Sequence, residues 1–229
     1  MSDGVKGLTR QQMCDRLAME FDDGWIVNLG IGIPTLCSNF DFGDKDIIFH
    51  AENGVIGYGP LTGAGNEDLH LVNAGGQHVT LRPGAAIVHH ADSFGLIRSG
   101  RIDVTVLGAY EVAANGDFAN WKMAGQKGGG IGGAMDLAAC AREVRVIMEH
   151  VTRKGAPRLL EKCALPLTAV KCVTRVYTDL AVVDVTSSGF VVREMVEISR
   201  ADLQHKTGAP LTFAPDCKTL TAPAIVEQP

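Results

Sequence analysis

Asp46-Ile47-Ile48-Phe49-His50-Ala51-Glu52-Asn53-Gly54 is an apolar run that ends in a carboxylate and a turn. Upstream, the run Trp25 to Leu29 leads in the same way into Gly30-Ile31-Gly32-Ile33-Pro34, and Pro34 suits the first turn of a following helix. Continuous apolar runs of strand length indicate strands covered on both faces. Ala85–His89, Val104–Leu107, Val144–Met148 and Leu180–Val185 extend the pattern. Helices are expected between them. The first is capped by Thr9 with Gln12 and carries Met13, Leu17 and Phe21 on one face. The others are Ala91–Arg98, Ala134–Ala141 and Arg200–Thr207, the last capped by Ser199 with Asp202 and stopped by Gly208. Together these predict an α/β fold: an open, mostly parallel sheet covered by helices on both faces.

The length suits one domain, residues 1–229. Asn115-Gly116 predicts a hairpin between Tyr110–Val112 and Phe118–Ala119. After Thr212 the periodicity fades among three prolines, so residues 213–229 are expected to form a C-terminal arm or a disordered tail. A net charge of −5 without a basic run argues against nucleic acid and anionic membrane as partners. Met1 to Arg10 is polar, unlike a secretory signal, and no apolar run reaches membrane-spanning length. The six cysteines form no CxxC pair and read as reduced thiols of a cytoplasmic protein.

Three glycine-rich segments could carry chemistry. Gly30-x-Gly32-x-Pro34 joins a strand to a helix, where backbone N–H groups can hold an anion. A dinucleotide fingerprint would need a third glycine where Thr35 stands, and a plain tight turn is the structural alternative. Glu52-Asn53-Gly54 follows a buried strand, at the edge where open α/β sheets bind ligands. Here the alternative is an exposed acidic turn. In the third, Gly128, Gly130 and Gly133 match GxGxxG, but a hairpin and loop precede them instead of a strand. What remains is a flexible loop presenting N–H groups to an oxyanion or a carbonyl at a helix start. His89 and His90 are read within a strand and so face opposite sides, a poor chelate, and no zinc-site spacing is present. His50 reads as a satisfied core histidine.

The segments Asn28-Leu29-Gly30-Ile31-Gly32-Ile33-Pro34, Glu52-Asn53-Gly54-Val55-Ile56-Gly57, Leu71-Val72-Asn73-Ala74-Gly75 and Ile102–Gly108 occur in that order. Gly116–Trp121, Gly132-Gly133-Ala134-Met135-Asp136-Leu137, Met148-Glu149-His150 and Cys163–Thr168 follow. From about Thr9 to Pro210 the chain therefore resembles the beta subunits of class I 3-oxoacid CoA-transferases, which include the succinyl-CoA and 3-oxoadipate enzymes. The resemblance implies the open sheet of that superfamily, with Glu52 as nucleophile. Gly132 and Gly133 are expected at the oxyanion site, and Asn53, Gly54, Asn28, Gly30 and Gly32 around CoA. Two departures stand out: the loop Gln126–Gly129, and Ala51, where the family usually has serine.

The mechanism so implied is covalent. Glu52 attacks an acyl-CoA thioester and comes to carry CoA as a glutamyl thioester, and a second acid then takes the CoA. No metal or other cofactor is expected. An alpha subunit is implied as partner, in an A2B2 heterotetramer. Succinyl-CoA as donor and 3-oxoadipate as acceptor are favoured by the Gln77–Leu81 and Val88–Phe94 segments. His89, His90 and Arg98 are candidates for the far carboxylate of that acid. A succinyl-CoA:acetoacetate transferase, an acyl-CoA hydrolase using the same intermediate, and a nucleotide or sugar-phosphate binding module are the alternatives.

Overall fold

The computed structural model describes residues 6–123, 125 and 128–221. The first half of the chain places helix α1 (Arg10–Ala18), strand β1 (Ile26–Leu29), a 3-10 helix (Ile33–Asn39) and strands β2 (Ile48–Ala51), β3 (Val55–Leu61) and β4 (Val79–Ile87). Helix α2 (His90–Arg98) and strand β5 (Val104–Gly108) follow. Strands β6 (Glu111–Ala113), β7 (Phe118–Ala119) and β9 (Leu159–Leu160) form a small separate sheet. Helix α3 (Ala134–Cys140), strand β8 (Glu143–Ile147), strands β10 (Val173–Tyr177), β11 (Ala181–Thr186) and β12 (Gly189–Met195), helix α4 (Arg200–His205) and strand β13 (Leu211–Thr219) complete the chain.

Ten strands share the main sheet, in the order β13-β12-β11-β10-β8-β5-β1-β2-β3-β4. Its centre, β10-β8-β5-β1-β2, is parallel throughout, and antiparallel pairs flank it. The mostly parallel sheet expected from the apolar runs is therefore present. From β1 the order runs outward to β4 on one side, and from β5 outward to β13 on the other. The junction of β1 with β5 is the point where the topology reverses.

Strand register decides which residues meet on each face. Val27, Phe49 and Val104 align across β1, β2 and β5. Phe49 meets Phe21, in the turn that follows α1, with ring centroids 6.5 Å apart, on the face that α1 covers. Asn28, His50 and Thr105 align on the other face, where His50 reaches Ser93 of α2. Both faces thus carry helices, and the alternating strand residues are buried on both sides.

The local signals explain the elements. Thr9 and Gln12 make the full capping box of α1, each side chain bonded to the other's backbone N–H. Ser199 caps α4, accepting from the Asp202 amide at 3.0 Å. The Asn115-Gly116 turn joins β6 to β7 with Gly116 at φ +88°, a conformation natural to glycine.

One expectation is corrected. His89 and His90 do not lie in a strand. β4 ends at Ile87; the Val88 amide still donates to the carbonyl of Gly54, opposite it in the same register, and the chain then turns into α2. His89 is then the N-cap of α2 and His90 its first residue. The arm expected from residue 213 is ordered to Thr219 as edge strand β13, paired parallel with β12. Pro215 is tolerated there because the pairing slips between Phe213 and Lys218 at a sheet edge. Residues 222–229 of the expected tail lie outside the described residues. Among the described residues no helix is long and apolar enough to cross a membrane.

Candidate active site

Ala51 is the last residue of β2, and Glu52-Asn53-Gly54 turn the chain back into β3. Because β2 runs parallel to β1 and β5, Glu52 stands at the carboxyl edge of the parallel strands. Gly30 follows β1 at the same edge, and Gly108 closes β5. This is the topological switch point, where diverging connections leave a crevice. A cavity of about 420 Å³ opens there, bounded by the ends of β1, β5 and β8 and by the loop from Gly130 into α3. Its size is that of a small-molecule site.

A closed chain of hydrogen bonds lies beneath Glu52. Thr105 Oγ1 donates to Asn28 Oδ1 at 3.1 Å, and Asn28 Nδ2 donates to the carbonyl of His50 at 3.2 Å and faces its Nδ1 at 3.1 Å. Nδ1 therefore accepts, Nε2 carries the proton and donates to Ser93 Oγ at 2.9 Å, and Ser93 donates to the carbonyl of Ala51 at 3.4 Å. The network fixes the residue immediately before Glu52. Burial holds His50 neutral, lowering its pKa to about 4. His150 is similar: Thr178 and Thr207 flank its ring at 3.0 and 2.9 Å, and burial again lowers it to about 4.

These two histidines make stability depend on pH. Unfolded, each binds a proton near pH 6.5; folded, each resists until about 4. Between those values the unfolded state binds more protons, so stability is full above 6.5 and is lost as pH falls towards 4. The slope should be roughly 1.4 kcal/mol per pH unit for each histidine. Urea unfolding at pH 7, 6 and 5 measures it, and His150→Gln should flatten the dependence.

Gly133 comes closest to the carboxylate. A Cβ placed on it would lie 2.1 Å from Glu52 Oε2 and 3.1 Å from Phe94 Cζ. Burial raises the pKa of Glu52, while the Gly133 amide and His90 favour the charged form and Asp136 opposes it. The carboxylate thus faces a backbone N–H at the start of α3 and sits beside a cavity. An oxyanion formed there would meet a donor already in place.

The other expected residues divide. Gly30, Asn28 and Gly132 line the cavity with Glu52 and Gly133, although the Asn28 amide is engaged in the network. Asn53 Nδ2 donates to Val72 O at 2.8 Å and so tethers the neighbouring loop. Gly54, at φ +116°, packs so closely that a Cβ would lie 2.3 Å from Val88 O. Gly32 precedes the 3-10 helix outside the cavity wall. His89 Nδ1 accepts from the Ala91 amide at 3.2 Å as a helix cap. His90 stacks towards Phe94, with ring centroids 4.7 Å apart. Arg98 is bound to Asp136 at 2.7 Å, across from α2 to α3. None of these last three lines the cavity. Arg158, which sequence reasoning passes over, does. Of the departing loop, Gln126 and Lys127 lie outside the described residues. Among the described residues no three His, Cys, Asp or Glu side chains group as a metal site.

Comparison with known proteins places this geometry. The coenzyme A transferase family model matches residues 10–202. The chain belongs to the coenzyme A transferase family. Within it, the chain is similar to a 3-oxoadipate CoA-transferase subunit of Pseudomonas putida, at 49% identity over 90% of this chain and 98% of that protein. Succinyl-CoA:3-ketoacid coenzyme A transferase 2 of Homo sapiens is 41% identical over 92% of this chain and 41% of that protein. In three dimensions the fold matches an acyl-CoA transferase of Escherichia coli O157:H7 with a TM-score of 0.74 at 20% identity, covering 97% of this chain and 44% of that one. It also matches the glutaconate coenzyme A-transferase of Acidaminococcus fermentans, with a TM-score of 0.71 at 17% identity over 96% and 92% of the two chains.

Proposed function

We propose that this chain is the nucleophile-bearing beta subunit of a CoA-transferase that moves CoA from succinyl-CoA to a 3-oxo acid, 3-oxoadipate in particular. The observation that carries the reading is Glu52, held at the switch-point edge beside a cavity and facing the Gly133 amide. The ionised carboxylate attacks the thioester carbonyl, and the oxyanion is met by backbone N–H groups of the Gly132-Gly133 segment. CoA leaves as thiolate, giving a mixed anhydride. The thiolate then attacks the glutamyl carbonyl and expels succinate, so Glu52 carries CoA as a thioester. The acceptor's carboxylate reverses these steps and leaves as its CoA ester. The chemistry needs no metal or redox group. An alpha subunit completes the enzyme as A2B2, acting in the cytoplasm.

The higher identity to the 3-oxoadipate enzyme than to the succinyl-CoA:3-ketoacid enzyme, 49% against 41%, supports that acceptor. With the alpha subunit co-expressed, kcat/KM for 3-oxoadipate should exceed that for acetoacetate by about tenfold or more, the scale of one satisfied charged hydrogen bond. A preference for acetoacetate would reject the acceptor and leave the transferase reading standing. Intact mass after incubation with succinyl-CoA tests the intermediate: the chain should gain CoA through Glu52.

A further inference from the structure

The cavity holds one charge of each sign. Among the described residues lining it, only Glu52 and Arg158 are ionic; the others are apolar, glycine or neutral polar. The two asparagines of the wall are engaged elsewhere. Asn28 is part of the buried network, and Asn120 donates to Gly108 O at 3.2 Å while accepting from Thr168 Oγ1 at 2.7 Å. Arg158 differs. Its side chain is 21% exposed and pairs with Glu149 through a single long contact, Nη1 to Oε2 at 3.5 Å. Glu149 is itself bound by two nitrogens of Arg10, at 3.0 and 2.5 Å. Among the described residues this long contact to Glu149 is the one ion pair of Arg158, and a guanidinium carries five N–H donors, so most of them remain for a second acid.

An acid that accepts CoA loses the charge of its reacting carboxylate. A dicarboxylic acid keeps a second charge, which is costly to bury unpaired. A guanidinium fits such a carboxylate with two parallel bonds. The cations first expected to do this do not line the cavity: Arg98 is paired with Asp136, and His89 caps its helix. Resting on the transferase reading above, we propose that Arg158 grips the non-reacting carboxylate of a dicarboxylic substrate whose other end exchanges CoA at Glu52. Arg158 is then the residue that selects diacids over monoacids of equal length.

The test compares succinyl-CoA with butyryl-CoA, four-carbon thioesters that differ in the terminal carboxylate. The rate of CoA-adduct formation is read by intact mass on the chain in its complex with the alpha subunit. Arg158→Met should slow the reaction of succinyl-CoA by about 10- to 100-fold and leave butyryl-CoA unchanged. Arg158→Lys should recover part of the loss. If Arg158→Met does not assemble, Arg158→Gln, which is shorter and uncharged but keeps a polar end, gives the same comparison. Equal slowing of both thioesters, or of neither, overturns the assignment while the transferase reading stands. A wild-type complex that forms no adduct with either overturns the transferase reading, and the role of Arg158 with it.

Discussion

Replacing Glu52 by glutamine is expected to lower transfer by about 10⁴-fold or more, the scale seen when a covalent nucleophile is removed. The amide keeps the shape of the side chain but supplies no anionic oxygen to attack the thioester. The same change should not harm the fold. Burial already raises the pKa of Glu52, so its charged form is held against a desolvation penalty that a neutral amide avoids. The melting temperature of Glu52→Gln should therefore equal or exceed that of wild type. Activity and CoA-adduct formation should vanish together. Near-normal turnover in a folded Glu52→Gln complex would remove Glu52 from the mechanism.

The second large effect is expected at Gly133. Its backbone, at φ −81°, suits any residue, so alanine brings no conformational strain. The added methyl instead falls 2.1 Å from Glu52 Oε2. That oxygen ends a flexible side chain and can swing away at little cost to stability, but the proposed attacking carboxylate is then out of place. Misplacement by about 1 Å costs on the order of 100-fold in rate, so Gly133→Ala should fold normally and turn over about 100-fold more slowly. Gly132→Ala provides the contrast. There φ is +52° and a Cβ would lie 3.6 Å from Glu52 Oε1, an ordinary contact. That change should cost roughly 1–2 kcal/mol of stability through the left-handed backbone and disturb the carboxylate far less. Measured kcat and urea midpoints for the two variants should move in opposite proportion. Gly133→Ala with wild-type kcat would sink the positional argument.

What can be read from the sequence follows from where each residue sits. The central strands β1, β2, β5 and β8 are covered on both faces, so their apolar runs announce them. Helix α1 is legible because its capping box is local. β3 reads as a glycine loop: Gly57, Gly59 and Pro60 lie within it, and irregular pairing with β2 and β4 accommodates them. β10, at the margin of the parallel centre, and β12, beyond it, mix Arg175, Arg193 and Glu194 with valines. Glu52 stands out because a carboxylate directly follows a buried strand. His89 and His90 mislead because Ala85 to Val88 looks like the start of a longer strand, and histidine is a weak signal for the helix cap that His89 forms at α2. Arg158 has no local signal. It precedes the two-residue strand β9, and reaches the cavity only once that strand pairs with β6.

The reversal of strand order between β1 and β5 has a consequence for how the protein comes into being. Glu52 and Gly30 belong to the arm made first, β1 to β4, whereas Gly133 and Arg158 belong to the arm that follows. As the chain leaves the ribosome, the first arm carries the proposed nucleophile without the Gly133 amide that faces it, and the open edge of β1 awaits β5. Two fragments divided after β4 would each hold half of the proposed site, and rejoining β1 to β5, with the ion pairs that α1 and the turn after it make to β12 and β10, would restore it.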